Sequence, residues 1–214
     1  MRILITGFDP FGGETINPAW EAVKRLPDMA AGAQLIKLEV PTAFSRCGPA
    51  MAAAIETHRP DAVVCVGQAG GRACVTVERV AVNLADAAIP DNEGEKPVDV
   101  PIRPDGPAAY FSTLPVKAIV QHIRAHGLPC QLSYTAGTFV CNCLMYQVLH
   151  LAAVQHPQLR AGFLHVPFIE EQAAGKPGGT PSASLASITK ALKLACEAIA
   201  AHPNDTHESM GHIC

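Results

Sequence analysis

Asp61–Gly67 reads DAVVCVG, an apolar run without the polar alternation of a strand that has one wet face. A strand buried on both sides needs a cover on each, and helices flanking a parallel sheet supply it. The same grammar recurs along the chain. RILITGF (Arg2–Phe8), AQLIKLEVP (Ala33–Pro41), CQLSYTA and AGFLHVP (Ala161–Pro167) read as further strands. Helical patterns fall between them: NPAWEAVKRLP, with Pro18 early and Pro27 past its end; FSRCGPAMAAAIETH, irregular at its start because of Pro49; STLPVKAIVQHIRAHG, stopped by Gly127; and Cys141 to about His156. ACVTVERVAVNL (Ala73–Leu84) reads as one long β segment, and TPSASLASITKALKLACEAIAAH as a closing helix with Thr180 as N-cap and Pro181 behind it. Alternating strands and helices predict an α/β class: one domain with a twisted, largely parallel central sheet and helices on both faces, an α/β/α sandwich.

At 214 residues the chain fits one domain with one sizeable core. Residues 1–202 are expected to form it, with 203–214 as a flexible tail. Asp86–Pro107, dense in Pro, Gly and Asp, is the one long irregular stretch, of the kind that is functional, mobile or an assembly element. A net charge of −3 without a basic run argues against nucleic acid. No apolar segment is long enough to span a membrane, and the start lacks a signal-peptide pattern, so a cytoplasmic location is expected.

In that compartment eight cysteines read as thiols and not as a disulfide framework. No zinc-like spacing joins them. Cys141 and Cys143 have no second pair, and His207, His212 and Cys214 sit in the expected tail, so no metal is expected. GFDPFGG after the first strand is neither a dinucleotide nor a Walker pattern. Its Phe8 and Phe11 can wall a small pocket at the strand's carboxyl edge, or simply pack in the core.

Cys141 differs from the other thiols. TAGTFVCNCLMYQVLHL, Thr135–Leu151, breaks at Gly137 and starts a helix near Cys141, where the helix dipole lowers a thiol's pKa and free N–H groups can hold an oxyanion. Cys143 lies about 200° further round that helix and reads as packing. His165, at the end of the apolar strand after this helix, is the candidate base; a βα unit returns it toward the helix start. Glu78, set among valines, is the candidate orienting carboxylate, or half of an ion pair with Arg72 or Arg79.

These stretches resemble a known family. GQAGGRACVTVERVAVN, TAGTFVCNCLMY, FLHVPF, GFDPFGGETINPAW and IPDNEGEKPVDV are similar to the pyroglutamyl peptidase type I (pyrrolidone-carboxylate peptidase) family over nearly the whole chain. The resemblance implies catalytic Cys141, His165 and Glu78, and pocket residues Phe8, Phe11, Asn17, Gln68, Ile89, Phe139 and Val140. It implies hydrolysis of the amide bond after an N-terminal pyroglutamyl residue, peptide substrates, no cofactor, and assembly as a homo-oligomer, a tetramer in many relatives. One departure is Ala88, where many bacterial relatives carry Arg. A nucleoside phosphorylase-like enzyme and a non-catalytic thiol protein are the competing classes.

Overall fold

The computed structural model describes residues 1–211. His212 and Cys214, named above among the tail's potential ligands, lie outside them. In chain order the strands are β1 (Arg2–Phe8), β2 (Met29–Ala30), β3 (Ala33–Val40), β4 (Ala62–Gln68), β5 (Val75–Glu78), β6 (Val80–Val82), β7 (Ala109–Phe111), β8 (Cys130–Ser133) and β9 (Arg160–Val166). The helices are α1 (Pro18–Lys24), α2 (Phe44–His58), α3 (Val116–Ala125), α4 (Val140–Gln155), α5 (Glu170–Ala173) and α6 (Leu185–Ala201). Among the described residues the strands make a seven-stranded sheet in the order β2-β3-β1-β4-β9-β5-β8, and β6 and β7 make a separate ribbon.

β3, β1, β4 and β9 run parallel, as their unbroken apolar character requires. Each face of the sheet is sealed by its own cluster. Ile3, Ile5, Val64 and Val66 pack with α1, α3 and α6, while Leu4, Val63, Cys65 and Phe163 pack with α2 and α4. The expected α/β/α layering is therefore present. β5 departs from it by running antiparallel to β9, with β8 parallel to β5. The segment leading into α4 is thus not the parallel βαβ unit expected from sequence.

Three boundaries also differ. The long β segment splits at Arg79, because Arg79 N donates to Ser133 O (2.7 Å) while Arg79 O accepts from Ser112 N (2.9 Å). The chain there leaves the main sheet for the ribbon. The last helix starts at Leu185 behind a Ser184 cap and not at Thr180. Thr180 Oγ1 donates to Pro177 O, and Ala183 N to Phe168 O, so this stretch is held against the end of β9 before it can coil. α2 is regular from Phe44 despite Pro49, since its cap comes from elsewhere: Asp91 Oδ2 accepts from Phe44 N at 2.8 Å. Residues 203–211, expected to be loose, lie beside α3, where Asp205 Oδ1 accepts from Lys117 N and Ala118 N.

Candidate active site

Register brings the three sequence-nominated groups together. His165 pairs with Gly67 on one side and with Thr76 on the other, and Glu78 stands opposite Phe163. Register partners project to the same face, as do residues two apart on a strand. His165, Phe163, Glu78 and Thr76 therefore share the face that α4 covers. Because β5 is reversed, Glu78 comes in deeper than His165 and is fully buried.

His165 Nδ1 lies 2.8 Å from Glu78 Oε1. An ionised carboxylate only accepts, so Nδ1 carries the proton and Nε2 keeps its lone pair. Arg72 closes the other side of Glu78. Its Nη1 contacts both Glu78 Oε1 and Thr76 Oγ1, and its Nη2 donates to Thr135 O at 3.0 Å. Both partners foreseen for Glu78, a histidine and an arginine, are thus engaged at once, and Arg72 is the arginine.

Cys141 occupies the first turn of α4 directly above Gly67. A Cβ placed on Gly67 would lie 2.8 Å from Cys141 Sγ and 2.8 Å from Phe163 Cζ, so only glycine leaves room for the sulfur. The first intrahelical bond runs from Cys143 N to Phe139 O (3.1 Å). The preceding N–H groups of Val140, Cys141 and Asn142 have no acceptor within the helix. Asn142, unremarked in the sequence, fixes this turn. Its side chain is fully buried, accepts from Val82 N and donates to Val82 O and Leu84 O. A polar residue between two cysteines in the first turn was the available signal. Cys143 is buried against Gln147, as packing would have it.

The electrostatics correct one expectation. Burial, with the Glu78 charge adding to it, pushes the Cys141 thiol up to about 12, and the Arg72 charge and its own backbone N–H do not reverse this. Helix placement does not win against desolvation. Burial also lowers His165 from its ordinary value, against the Glu78 bond and charge that raise it; Arg72 lowers it further. Burial would raise Glu78, but the His165 hydrogen bond, the His165 charge and Arg72 together hold it below the usual carboxylate range. The resting pair is a neutral thiol and a neutral imidazole over a carboxylate.

The proposed pocket residues divide. Phe11, Phe139 and Phe44 form an aromatic wall, with centroids 6.0 Å and 5.3 Å apart, beside the helix start. Ile89 is half exposed and comes near Gly12, next to Phe11. Val140 is buried, and Phe8 is buried against Phe163. Asn17 is the N-cap of α1, accepting from Ala19 N and donating to Asp9 O. Gln68 follows Gly67 and so projects to the opposite face, where its Oε1 accepts from Gln172 Nε2 at 3.0 Å. Asn17 and Gln68 thus brace the loops around the site through these bonds. Ala88 is exposed, and the segment around it is tied down by other residues. Thr138 Oγ1 donates to Asp86 O, and Asn92 Nδ2 donates to Pro10 O.

A helix-borne thiol above an imidazole–carboxylate pair, on an α/β sheet, is the arrangement of a cysteine hydrolase. Comparison with known proteins narrows this class. The family model described as pyroglutamyl peptidase matches residues 1–202. A pyrrolidone-carboxylate peptidase of Enterococcus faecalis is 58% identical over 198 residues, 92% of each chain. One from Treponema denticola is 51% identical over the full length of both. The crystal structure of pyroglutamyl peptidase I from Bacillus amyloliquefaciens superposes with a TM-score of 0.94 at 49% identity, covering 97% of this chain and 99% of that one. The chain belongs to the pyroglutamyl peptidase family, a family of cysteine peptidases.

Proposed function

We propose that this protein removes N-terminal pyroglutamate from peptides through Cys141, His165 and Glu78. The observation that carries the reading is the buried 2.8 Å His165–Glu78 pair, in register beside the glycine that seats the Cys141 sulfur. A neutral thiol must lose its proton as it attacks, so His165 Nε2 takes it while sulfur adds to the pyroglutamyl carbonyl. Charge then develops on oxygen, where the N–H groups at the start of α4 can receive it. Collapse breaks the C–N bond, and His165 returns its proton to the departing amine. Water attacks the thioester with His165 again as base, releasing pyroglutamate and restoring the thiol. Glu78 stabilises the imidazolium in both halves. The lactam ring, flat and uncharged, suits the wall of Phe11 and Phe139.

No cofactor enters this scheme. Action in the cytoplasm and assembly as a homotetramer belong to the same proposal; half-exposed Val98 and Val100 on the 86–107 segment support self-association, measurable by light scattering. The direct test is release of a fluorescent amine from pyroglutamyl, prolyl and glutamyl amides by wild type and Cys141→Ala. Turnover of the pyroglutamyl compound alone, lost in the variant, is expected. Equal turnover by the variant would remove Cys141 from the mechanism.

A further inference from the structure

The three nominated groups reach the site by separate routes. His165 comes on β9 and Glu78 on β5, whereas Cys141 comes on α4, which follows β8 through residues 134–139. Tyr134, Thr135 and Gly137 in that connection are exposed, and Gly137 has a φ of 78°. Within it the bonds are local: Ser133 Oγ accepts from Thr135 N (3.4 Å), and Thr135 Oγ1 accepts from Gly137 N (3.1 Å). Two hydrogen-bonded ties among the described residues hold it to the rest of the fold. At its far end Thr138 O accepts from Asp86 N, and Thr138 Oγ1 donates to Asp86 O. At its near end Thr135 O accepts from Arg72 Nη2 at 3.0 Å.

The same guanidinium holds the carboxylate. Arg72 Nη1 contacts Glu78 Oε1 and Thr76 Oγ1. Glu78 is fully buried, and His165 Nδ1, Thr76 Oγ1 and Arg72 all meet it at Oε1. Among the described residues Oε2 has no hydrogen-bond partner; the hydroxyl of Ser133, in register with Glu78, donates to Thr135 O instead (3.2 Å). A carboxylate held at one oxygen keeps its orientation only if the donors there are themselves fixed. Arg72 is fixed, because Thr135 O engages its second nitrogen and a guanidinium is a rigid plane.

We propose that Arg72 is a positioning residue for proton transfer between Cys141 and His165: one rigid guanidinium ties the carboxylate that orients the base to the turn that carries the nucleophile. The inference rests on the activity proposed above. A lysine keeps the charge, but its single nitrogen has no planar fork to set both directions at once.

The experiment compares kcat and KM on a pyroglutamyl amide for wild type, Arg72→Lys and Arg72→Ala, with thermal unfolding of each preparation. Misplacing reacting groups by about 1 Å costs on the order of 10²-fold, so kcat is expected to fall about 10²-fold in Arg72→Ala and about tenfold in Arg72→Lys. His165 acts in both halves of the reaction, so both slow together and KM stays close to that of wild type. Arg72 lines an open cleft of about 410 Å³ with Thr76, Ser133 and Tyr134, through which a free guanidinium ion can reach the space left in Arg72→Ala. Guanidinium chloride far below denaturing concentration should therefore raise kcat of that variant about tenfold and saturably, whereas ammonium chloride at the same ionic strength should not. Arg72→Lys at the wild-type rate leaves charge as the only contribution and overturns the bridge. So does a folded Arg72→Ala with kcat within about threefold of wild type, or one that guanidinium stabilises without raising kcat. Wild type without turnover overturns the activity itself, and the bridge with it; wild-type turnover with unaffected variants overturns the bridge alone.

Discussion

Gly67→Ala tests the packing of the site with one methyl group. Gly67 does not have a positive φ, so alanine is acceptable to the backbone and the conflict is purely one of space. The new Cβ would stand 2.8 Å from Cys141 Sγ and from Phe163 Cζ, where ordinary contact begins at 3.4 Å. Sulfur or ring must therefore yield by about 0.6 Å. Phe163 is fully buried between Phe8 and His165, with centroids at 6.4 Å and 4.8 Å, so the ring has little freedom. The sulfur, half-buried at a helix start, is the part that moves. Misplacing a reacting atom by 1 Å costs on the order of 10²-fold, so about ten- to a hundredfold in kcat/KM is expected. Overpacking should cost about 1–3 kcal/mol of stability. The assay is kcat/KM on a pyroglutamyl amide beside thermal unfolding of the same preparation. Gly70→Ala is the control: it crowds Phe168 and not the sulfur, so it should lower stability without the same loss of rate. Activity within twofold of wild type in a folded Gly67→Ala would refute the placement of the thiol.

Three more outcomes are expected. Because His165 is lowered and, as the proposed base, must be neutral to act, kcat/KM should hold at pH 7 and fall only as pH drops through a value below the ordinary imidazole range; Arg72→Met removes a cation that lowers His165, so this acid limb should move to higher pH in rate–pH profiles. Asp91→Ala strips the cap from α2 and should cost about 0.5–2 kcal/mol, or roughly 1–8 °C in Tm by calorimetry. Brief iodoacetamide treatment should label Cys141 before Cys143 on peptide mapping, since Cys143 is sealed by Gln147 and α2 while Cys141 is half-open; the reverse order would contradict the packing.

Much of the site was readable because its members mark ends of elements. Gly137 announced the start of α4, an apolar strand delivered His165, and a lone carboxylate among valines stood out as Glu78. What escaped depends on partners distant in sequence. The reversal of β5 is a property of sheet order, which no local pattern encodes. The cap that Asp91 supplies to α2 crosses 47 positions, and the Gln172–Gln68 bond 104. The thiol's pKa was misjudged for a related reason. A helix start is visible in sequence, whereas the desolvation that overrides it comes from the whole fold.

The reversed strand also decides when the protein becomes reactive. Glu78 meets a histidine 87 positions later, and β4, which carries the sulfur's seat, pairs with a strand nearly a hundred positions further on. Long-range pairings of this kind close late and slowly. During synthesis the Cys141 segment emerges before β9, so the thiol exists for a time without the His165 imidazole, its proposed base. A half-made chain therefore has a cysteine but no peptidase. In the mechanism proposed above, competence waits for the last parallel strand, which lies between two strands that run in opposite directions.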